Sequence, residues 1–364
     1  MDNEGKNMVD RNSFEPLYFQ VKRDIQEQIL SGKIKIGDKL MSESEMICYY
    51  NVGRVTIRNA LAELVSSGCL RKEQGLGTFC VALPRMEDRK NIDVLLNTGD
   101  RIFTPYFLSG ISRVLDANDC NLILHDTLDD MTTIAKLLEQ VMDRGTDGII
   151  VQPFTGTSEV LPECSRALAL CRERKIPVVT IDGKFKDIDT AYIVNDDEGG
   201  CRKATEHLIR MGHKNILGLF RNRYRDSKFR AMGYRAAMER AGLPVQILDA
   251  DETDKLQWVD YIRSRQITGI VCYNDYLAAK CYHCFHENGL QPGRDISVVG
   301  FDDTEVSRTA LPRITTLTHP KDVMGEQAAR YILDRIAGTE QEPEQYVFPS
   351  DLICRDSVCS ISVL

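Results

Sequence analysis

From residue 91 to the end, the chain alternates short apolar runs with amphipathic helical stretches, and this alternation narrows its fold more than any other feature. The runs fall at 92–96, 121–125, 148–152, 178–182, 216–220, 269–273 and 296–301. Continuously apolar strands separated by helices form parallel sheets covered on both faces. The stretch exceeds one ordinary sheet domain, since most domains stay below about 250 residues. Two α/β lobes with a cleft between them are therefore expected. The first lobe would take about 91–193 and 320–340, the second about 194–319 and 341–364.

The first 90 residues read differently. Residues 1–13 are polar and read as a disordered tail. A helix is expected over 16–30, with Val21, Ile25, Ile29 and Leu30 on one stripe. Ser42-Glu43-Ser44-Glu45 has the spacing of a capping box and opens a second helix reaching about Tyr50. Asn51-Val52-Gly53 makes a turn, and a third helix runs over 54–67. Residues 70–81 read as a hairpin about Gln74-Gly75-Leu76-Gly77, and 83–90 as a linker. The expected domain is thus a winged helix-turn-helix over 14–82. Its second motif helix carries Arg54, Val55, Thr56 and Arg58, and Arg54 and Arg58 share a face. Charge supports DNA binding only weakly: the chain carries −8 overall, and residues 14–82 hold nine Lys/Arg against eight Asp/Glu.

Residues 16–81 resemble the winged-helix domain of the GntR regulators. The matching stretches are Leu17–Val21, Ser31–Ile34, Gly37–Leu40, Ser42-Glu43, Val55–Leu61, Leu64–Gly68 and Gln74–Phe79. The resemblance implies that Arg54, Thr56 and Arg58 face DNA; Val55 beside them suits a thymine methyl group, and Ser42 and Glu43 are taken as further DNA contacts. The resemblance also implies that the wing, with Gln74, Gly75, Gly77 and Thr78, enters the minor groove. Gly53 stands where the family usually has Ser, which predicts a weaker helix cap.

In open parallel sheets, ligand groups sit at the carboxyl ends of strands, and paired hydrogen bonds from Asp, Asn and Arg suit vicinal hydroxyls. Gln152, Asp182, Asn274, Asp275 and Asp302 occupy such ends. An Asp or Asn after a strand is also the usual N-cap of the next helix. Residues 91–357 resemble the effector domain of the LacI/periplasmic-binding-protein superfamily. The resemblance rests on Asp147–Ile150, Ile176–Val179, Asn195–Gly200, His207–His213, Arg230–Tyr234, Asn274-Asp275, Ser297–Asp303 and Leu311–Thr316. It implies that Arg230, Asn274 and Asp302 hold effector hydroxyls, with Asp182 at a further position. The stretch Asn97–Tyr106 departs from the family pattern at the pocket entry, and Tyr106 is taken as an effector contact there.

A GntR-type reader joined to a LacI-type sensor is similar to the arabinose-responsive regulators of Gram-positive bacteria. The expected function is a repressor of sugar-utilisation genes, released from double-stranded operator DNA when a sugar fills the cleft. L-arabinose leads, with another pentose, a hexose or another small polar effector open. A homodimer is expected because two-fold symmetry matches a palindromic operator. The polar N-terminus and the lack of a long apolar run point to the cytoplasm and away from a membrane. The rivals are a transport receptor and a sugar-acting enzyme, and no nucleophile–base spacing favours the latter. No cofactor or metal is expected. Cys281, His283, Cys284 and His286 are close in sequence, but structural zinc needs a second ligand pair elsewhere. The twelve cysteines read as reduced thiols, mostly acting as small hydrophobes.

Overall fold

A computed structural model describes residue 9 and residues 16–73, 76–82, 89–156, 160–338 and 345–361. Residues 1–8 and 10–13 of the expected tail, 83–88 of the expected linker, and the wing candidates Gln74 and Gly75 lie outside the described residues. The chain divides into two compact units, 1–90 and 91–364.

The first unit contains α1 (Leu17–Leu30), α2 (Glu43–Tyr50), α3 (Arg54–Ser66), β1 (Leu70–Glu73) and β2 (Gly77–Cys80). The apolar stripes of its helices meet in one core around Val21, Ile25, Ile29, Met46, Ile57, Leu61 and Leu64. β1 and β2 pair antiparallel, with Leu70 opposite Cys80 and Glu73 opposite Gly77.

The second unit continues with β3 (Asn91–Leu96), α4 (Thr104–Ala117), β4 (Asn121–Asp126), α5 (Met131–Arg144), β5 (Gly148–Val151), α6 (Pro162–Glu173), β6 (Val178–Ile181) and β7 (Ala191–Asn195). Then come α7 (Asp197–Arg210), β8 (Ile216–Phe220), α8 (Arg225–Arg240), β9 (Ile247–Asp249), α9 (Lys255–Ser264), β10 (Gly269–Cys272), α10 (Asp275–Glu287) and β11 (Ser297–Val299). It ends with α11 (Glu305–Thr309), β12 (Thr316–Leu317), α12 (Lys321–Ile336), β13 (Gln345–Phe348) and β14 (Leu352–Ile353).

Two parallel sheets result, in the orders β13-β7-β6-β5-β3-β4 and β11-β10-β8-β9. The seven expected strands are all present, with ends shifted by a residue or two. The lobe boundaries are corrected at two places. β7 carries the first sheet on to Asn195, and β13 pairs parallel with β7, so 345–348 belongs to the first lobe. Both strands are short and are placed by pairing with distant partners, which local periodicity does not record.

Side chains of β3 alternate between two cores. Ile92, Val94 and Leu96 face Phe107, Ile111, Met324 and Ile332 of α4 and α12. Leu95 faces Ile134, Leu138 and Cys164 on the other side. α4 and α12 approach closely because Gly110 has no side chain: a Cβ there would stand 2.0 Å from the Asp322 carbonyl oxygen. Gly110→Ala is expected to force the two helices apart and lower stability by about 2–3 kcal/mol, read by circular dichroism as a lowered urea midpoint.

Nine of the twelve cysteines are buried or half-buried inside these cores or their margins beyond Cys48 and Cys354, which are exposed, and Cys359, which is partly exposed; all twelve are free thiols. On α10, Cys281 and Cys284 face the core, while His283 is solvent-facing and pairs with Glu287 at 3.3 Å. The four residues do not converge. No helix among the described residues is long and apolar enough to cross a membrane.

Candidate functional site

In the first unit, Ser42 caps α2 as the spacing predicts. Its hydroxyl accepts from the Glu45 amide at 3.3 Å, and Glu45 accepts from the Ser42 amide at 2.7 Å. These bonds hold the Glu45 carboxyl below its ordinary range. α3 starts after Gly53 without a side-chain cap. Ile57, Ala60, Leu61 and Leu64 turn inward, which leaves Arg54, Val55 and Arg58 exposed on the outer face and Thr56 half-buried. Val55 is 71 % exposed.

Glu43 ties this face to the wing. It accepts from Arg58 Nε at 3.0 Å and from Lys72 Nζ at 2.9 Å. Its pKa is lowered, first by Lys72 and then by Arg58. Lys72 was not singled out from the sequence, because only the hairpin register brings it opposite Thr78 and beside α2. Thr78 itself is corrected. It is buried, because β2 alternates and sends Thr78 and Cys80 inward. Gly77 has φ +125°, and a Cβ there would lie 2.7 Å from Lys39 Cε. The group lying against the wing glycine is thus a lysine side chain.

In the second unit the chain order reverses between β3 and β5 in one sheet and between β8 and β10 in the other. Ligands of open α/β sheets bind outside the carboxyl ends at such reversals. A cleft of about 270 Å³ lies there, lined by Asn97, Asp100 and Phe103 after β3, Gln152 after β5, Arg221 after β8, and Tyr273 and Asn274 after β10. Gln152 accepts from the Asn97 amide and donates to Asp182 Oδ2, each at 3.3 Å. Asn274 caps α10 by accepting from the Leu277 amide at 2.9 Å. It lines the cleft as well.

Three predicted contacts thus meet in the cleft: Gln152, Asp182 and Asn274. Arg230 and Asp302 are corrected to a buried network that does not line it. Arg230 donates to Asp197 at 2.9 Å, to the Tyr273 carbonyl at 2.6 Å and to Asp302 at 2.9 Å. Its guanidinium also lies 3.8 Å from the Phe301 ring centre. Burial opposes charge on Asp302, but Arg230, His319 and Lys321 outweigh it and hold its pKa down. The Arg230 pKa is raised for the reciprocal reason: burial works against its charge, and Asp302, Asp197 and Asp226 overcome that.

Asp275 is corrected to a scaffold residue. It is fully buried and accepts from the Thr304 amide at 2.7 Å, Thr304 Oγ1 at 3.0 Å and Thr316 Oγ1 at 2.6 Å. At the first position of α10 it points into the lobe rather than over the strand ends. Tyr106 is corrected too: it lines a separate cavity of about 650 Å³ with Tyr276 and Arg308. Phe103, one turn earlier, is the residue that faces the cleft.

Burial lifts the Asp275 carboxyl to about 7 and that of Asp197 to about 7 as well. The folded chain then holds protons, between the ordinary carboxylate range and about pH 7, that the unfolded chain has released, so these groups make stability fall as pH rises through that window. Asp275→Asn is expected to flatten the slope, checked by urea midpoints taken at about pH 5 and about pH 7.5.

Sequence reading missed Asp100, Asp129, Arg221, Tyr224, Arg225, Asp226 and His319. The segment 221–225 directly follows β8, so the strand-end rule would have reached it. Tyr224 stacks parallel to Tyr273 with centroids 5.9 Å apart, and Arg221 lies over the Tyr224 ring at 4.7 Å. The two lobes touch across the cleft. The Arg225 amide donates to the Thr155 carbonyl at 2.9 Å, and Thr155 is held by Asp129 through its amide at 3.0 Å and its hydroxyl at 2.7 Å. His319 stands between Asp182 of the first lobe and Asp302 of the second, 3.4 Å from each. The Asp182 contact is an ion-pair distance without hydrogen-bond alignment. Burial favours the neutral imidazole, but the two carboxylates outweigh it and raise the His319 pKa. Four carboxylates and two arginines line the cleft together with Phe103, Tyr224 and Tyr273. Such a lining offers acceptors for hydroxyls and apolar faces for ring C–H groups, and it disfavours anions.

A reading head with exposed arginines and a two-lobed polar cleft define a ligand-responsive transcription regulator. The model for bacterial regulatory proteins of the gntR family matches residues 17–80, and that for the periplasmic binding protein-like domain matches 205–358. The arabinose metabolism transcriptional repressor of Halalkalibacterium halodurans is 31% identical over 94% of this chain and 96% of its own. The protein of the same name from Geobacillus stearothermophilus is 31% identical over 95% and 98%. A LacI family transcriptional regulator from Enterococcus faecium, solved with bound ribose, covers 75% of this chain and 100% of its own at 24% identity and TM-score 0.62. The transcriptional regulator CelR, solved with cellobiose, covers 84% and 91% at 20% identity and TM-score 0.62. The chain belongs to the family of arabinose metabolism transcriptional repressors and is a DNA-binding regulator of that kind.

Proposed function

We propose that the protein represses sugar-utilisation genes and leaves its operator when L-arabinose, or a closely related neutral sugar, binds the cleft. The observation that carries this reading is the cleft itself: carboxylates, amides and aromatic rings gather at the chain reversals of two facing sheets, on the same chain as a winged helix with exposed Arg54 and Arg58. The names of the two full-length relatives favour arabinose, and the carboxylate-rich lining favours an uncharged sugar over a phosphate. Sugar in the cleft changes how the lobes meet, and the energy difference reaches the reading head as reduced DNA affinity. The protein acts in the cytoplasm as a homodimer on palindromic DNA, without catalysing a reaction.

The test is a thermal-shift panel of pentoses, hexoses and their phosphates, since a ligand of the folded state raises the midpoint. Sugars that bind are then titrated into a complex with DNA selected by the protein from a random pool. L-arabinose is expected to raise Tm and weaken DNA binding by roughly tenfold or more, about 1.4 kcal/mol. Unchanged DNA affinity at saturation with every sugar would overturn the reading. Sedimentation equilibrium decides the dimer, and recovery of the bound sugar unaltered decides against an enzyme.

A further inference from the structure

A chamber of about 260 Å³ lies alongside the cleft and shares Asp182, Arg225 and Asp226 with it. Arg225 therefore stands in the wall between them. Its guanidinium is held against the first lobe, where Nη1 donates to the Lys184 carbonyl at 2.6 Å. It fits there because residue 183 is glycine: a Cβ would lie 1.9 Å from Arg225 Nη2. Its backbone is pinned separately, by the hydrogen bond its amide donates to the Thr155 carbonyl.

The far chamber is more apolar than the cleft but carries groups that a sugar ring can use. Asn195, Asp197 and Glu198 supply polar groups, and Phe229 and Val347 supply apolar surface. Alone, the cleft is smaller than the roughly 300 Å³ at which ordinary ligand pockets begin. With the far chamber the space about doubles.

We infer that Arg225 sets the size limit of the effector, confining it to a single sugar ring by closing off a second, sugar-compatible chamber. The inference rests on the sugar-sensing reading above. It makes Arg225, seated on Gly183, a specificity-determining residue that works by exclusion.

The experiment is calorimetric titration of the full-length protein with L-arabinose, D-ribose, D-glucose, cellobiose and maltose. Wild type is compared with Arg225→Ala, which removes the partition, and Gly183→Ala, which keeps the charge but displaces the flexible end of Arg225 from its seat. The wild type is expected to bind a monosaccharide and neither disaccharide. Both variants are expected to shift the disaccharide-to-monosaccharide affinity ratio by at least about tenfold toward the disaccharide, the scale of one well-placed specificity contact. Either variant suffices if the other does not fold. Proportional weakening of both sugar sizes would overturn the inference, because Arg225 would then be an ordinary sugar ligand. Equal binding of both sizes by the wild type would overturn it too. Failure of all five sugars to bind any of the three proteins would overturn the sugar reading as well, a result distinct from a changed ratio.

Discussion

Arg230→Met is expected to lower the stability of the second lobe by about 3–5 kcal/mol, the usual consequence of removing one partner from a buried charge network. The substitution nearly conserves volume, so the loss is electrostatic. Asp302, Asp197 and Asp226 surround the guanidinium at 2.9, 2.9 and 3.7 Å. Without it, buried Asp302 and the partly buried Asp197 and Asp226 face one another with no cation between them. The molecule carries its own reporter: Trp258, the only tryptophan, is buried in the same core as Tyr273 and Phe301. Urea unfolding followed by its fluorescence reads the lobe directly. Adding Asp302→Asn to the variant is expected to recover part of the loss, because one unpaired charge is then removed. A midpoint within experimental error of wild type would show that the network does not support the fold. The variant is also expected to lose its sugar response, since Arg230 holds the Tyr273 carbonyl from below.

The second large effect is expected at the reading head. Arg58→Ala should weaken binding to selected duplex by about 1–3 kcal/mol if the guanidinium reads a base, with specificity relaxed at one position. If it holds a phosphate, affinity should fall about equally on all sequences, and the salt slope should drop by about 0.9. Arg54→Ala gives the same pair of alternatives, so fluorescence anisotropy across a salt series sorts both residues. Arg58 starts from a defined place, bonded to Glu43, whereas Arg54 is exposed at the first position of α3. Unchanged affinity in both variants would remove α3 from the interface.

Much of this was legible in the sequence. The capping box at Ser42, the inward faces of α1 and α3, and the strand–helix alternation are local patterns, and each appears where its spacing places it, except that Leu30, at the end of the α1 stripe, is exposed. Family resemblance added the roles of the two units. Residues whose place depends on distant pairing were misjudged. Thr78 was assigned to DNA, but strand parity turns it inward. Asp302 and Arg230 have the right chemistry for hydroxyls, yet they satisfy each other beneath the cleft. β13 was given to the wrong lobe, because its partner β7 is about 150 residues earlier.

The sequence by itself determined the seven apolar strands, the main helices, their order and the division at residue 90, because each follows from short-range pattern, and its resemblance to known regulators supplied the kind of regulator. Tertiary structure alone decided which strand-end side chains line the cleft and which are buried beneath it. That depends on where the order of each sheet reverses, a long-range fact. The same reversals bring Gln152 and Asn274 to one cleft and leave Asp275, the residue next to Asn274, buried in the lobe.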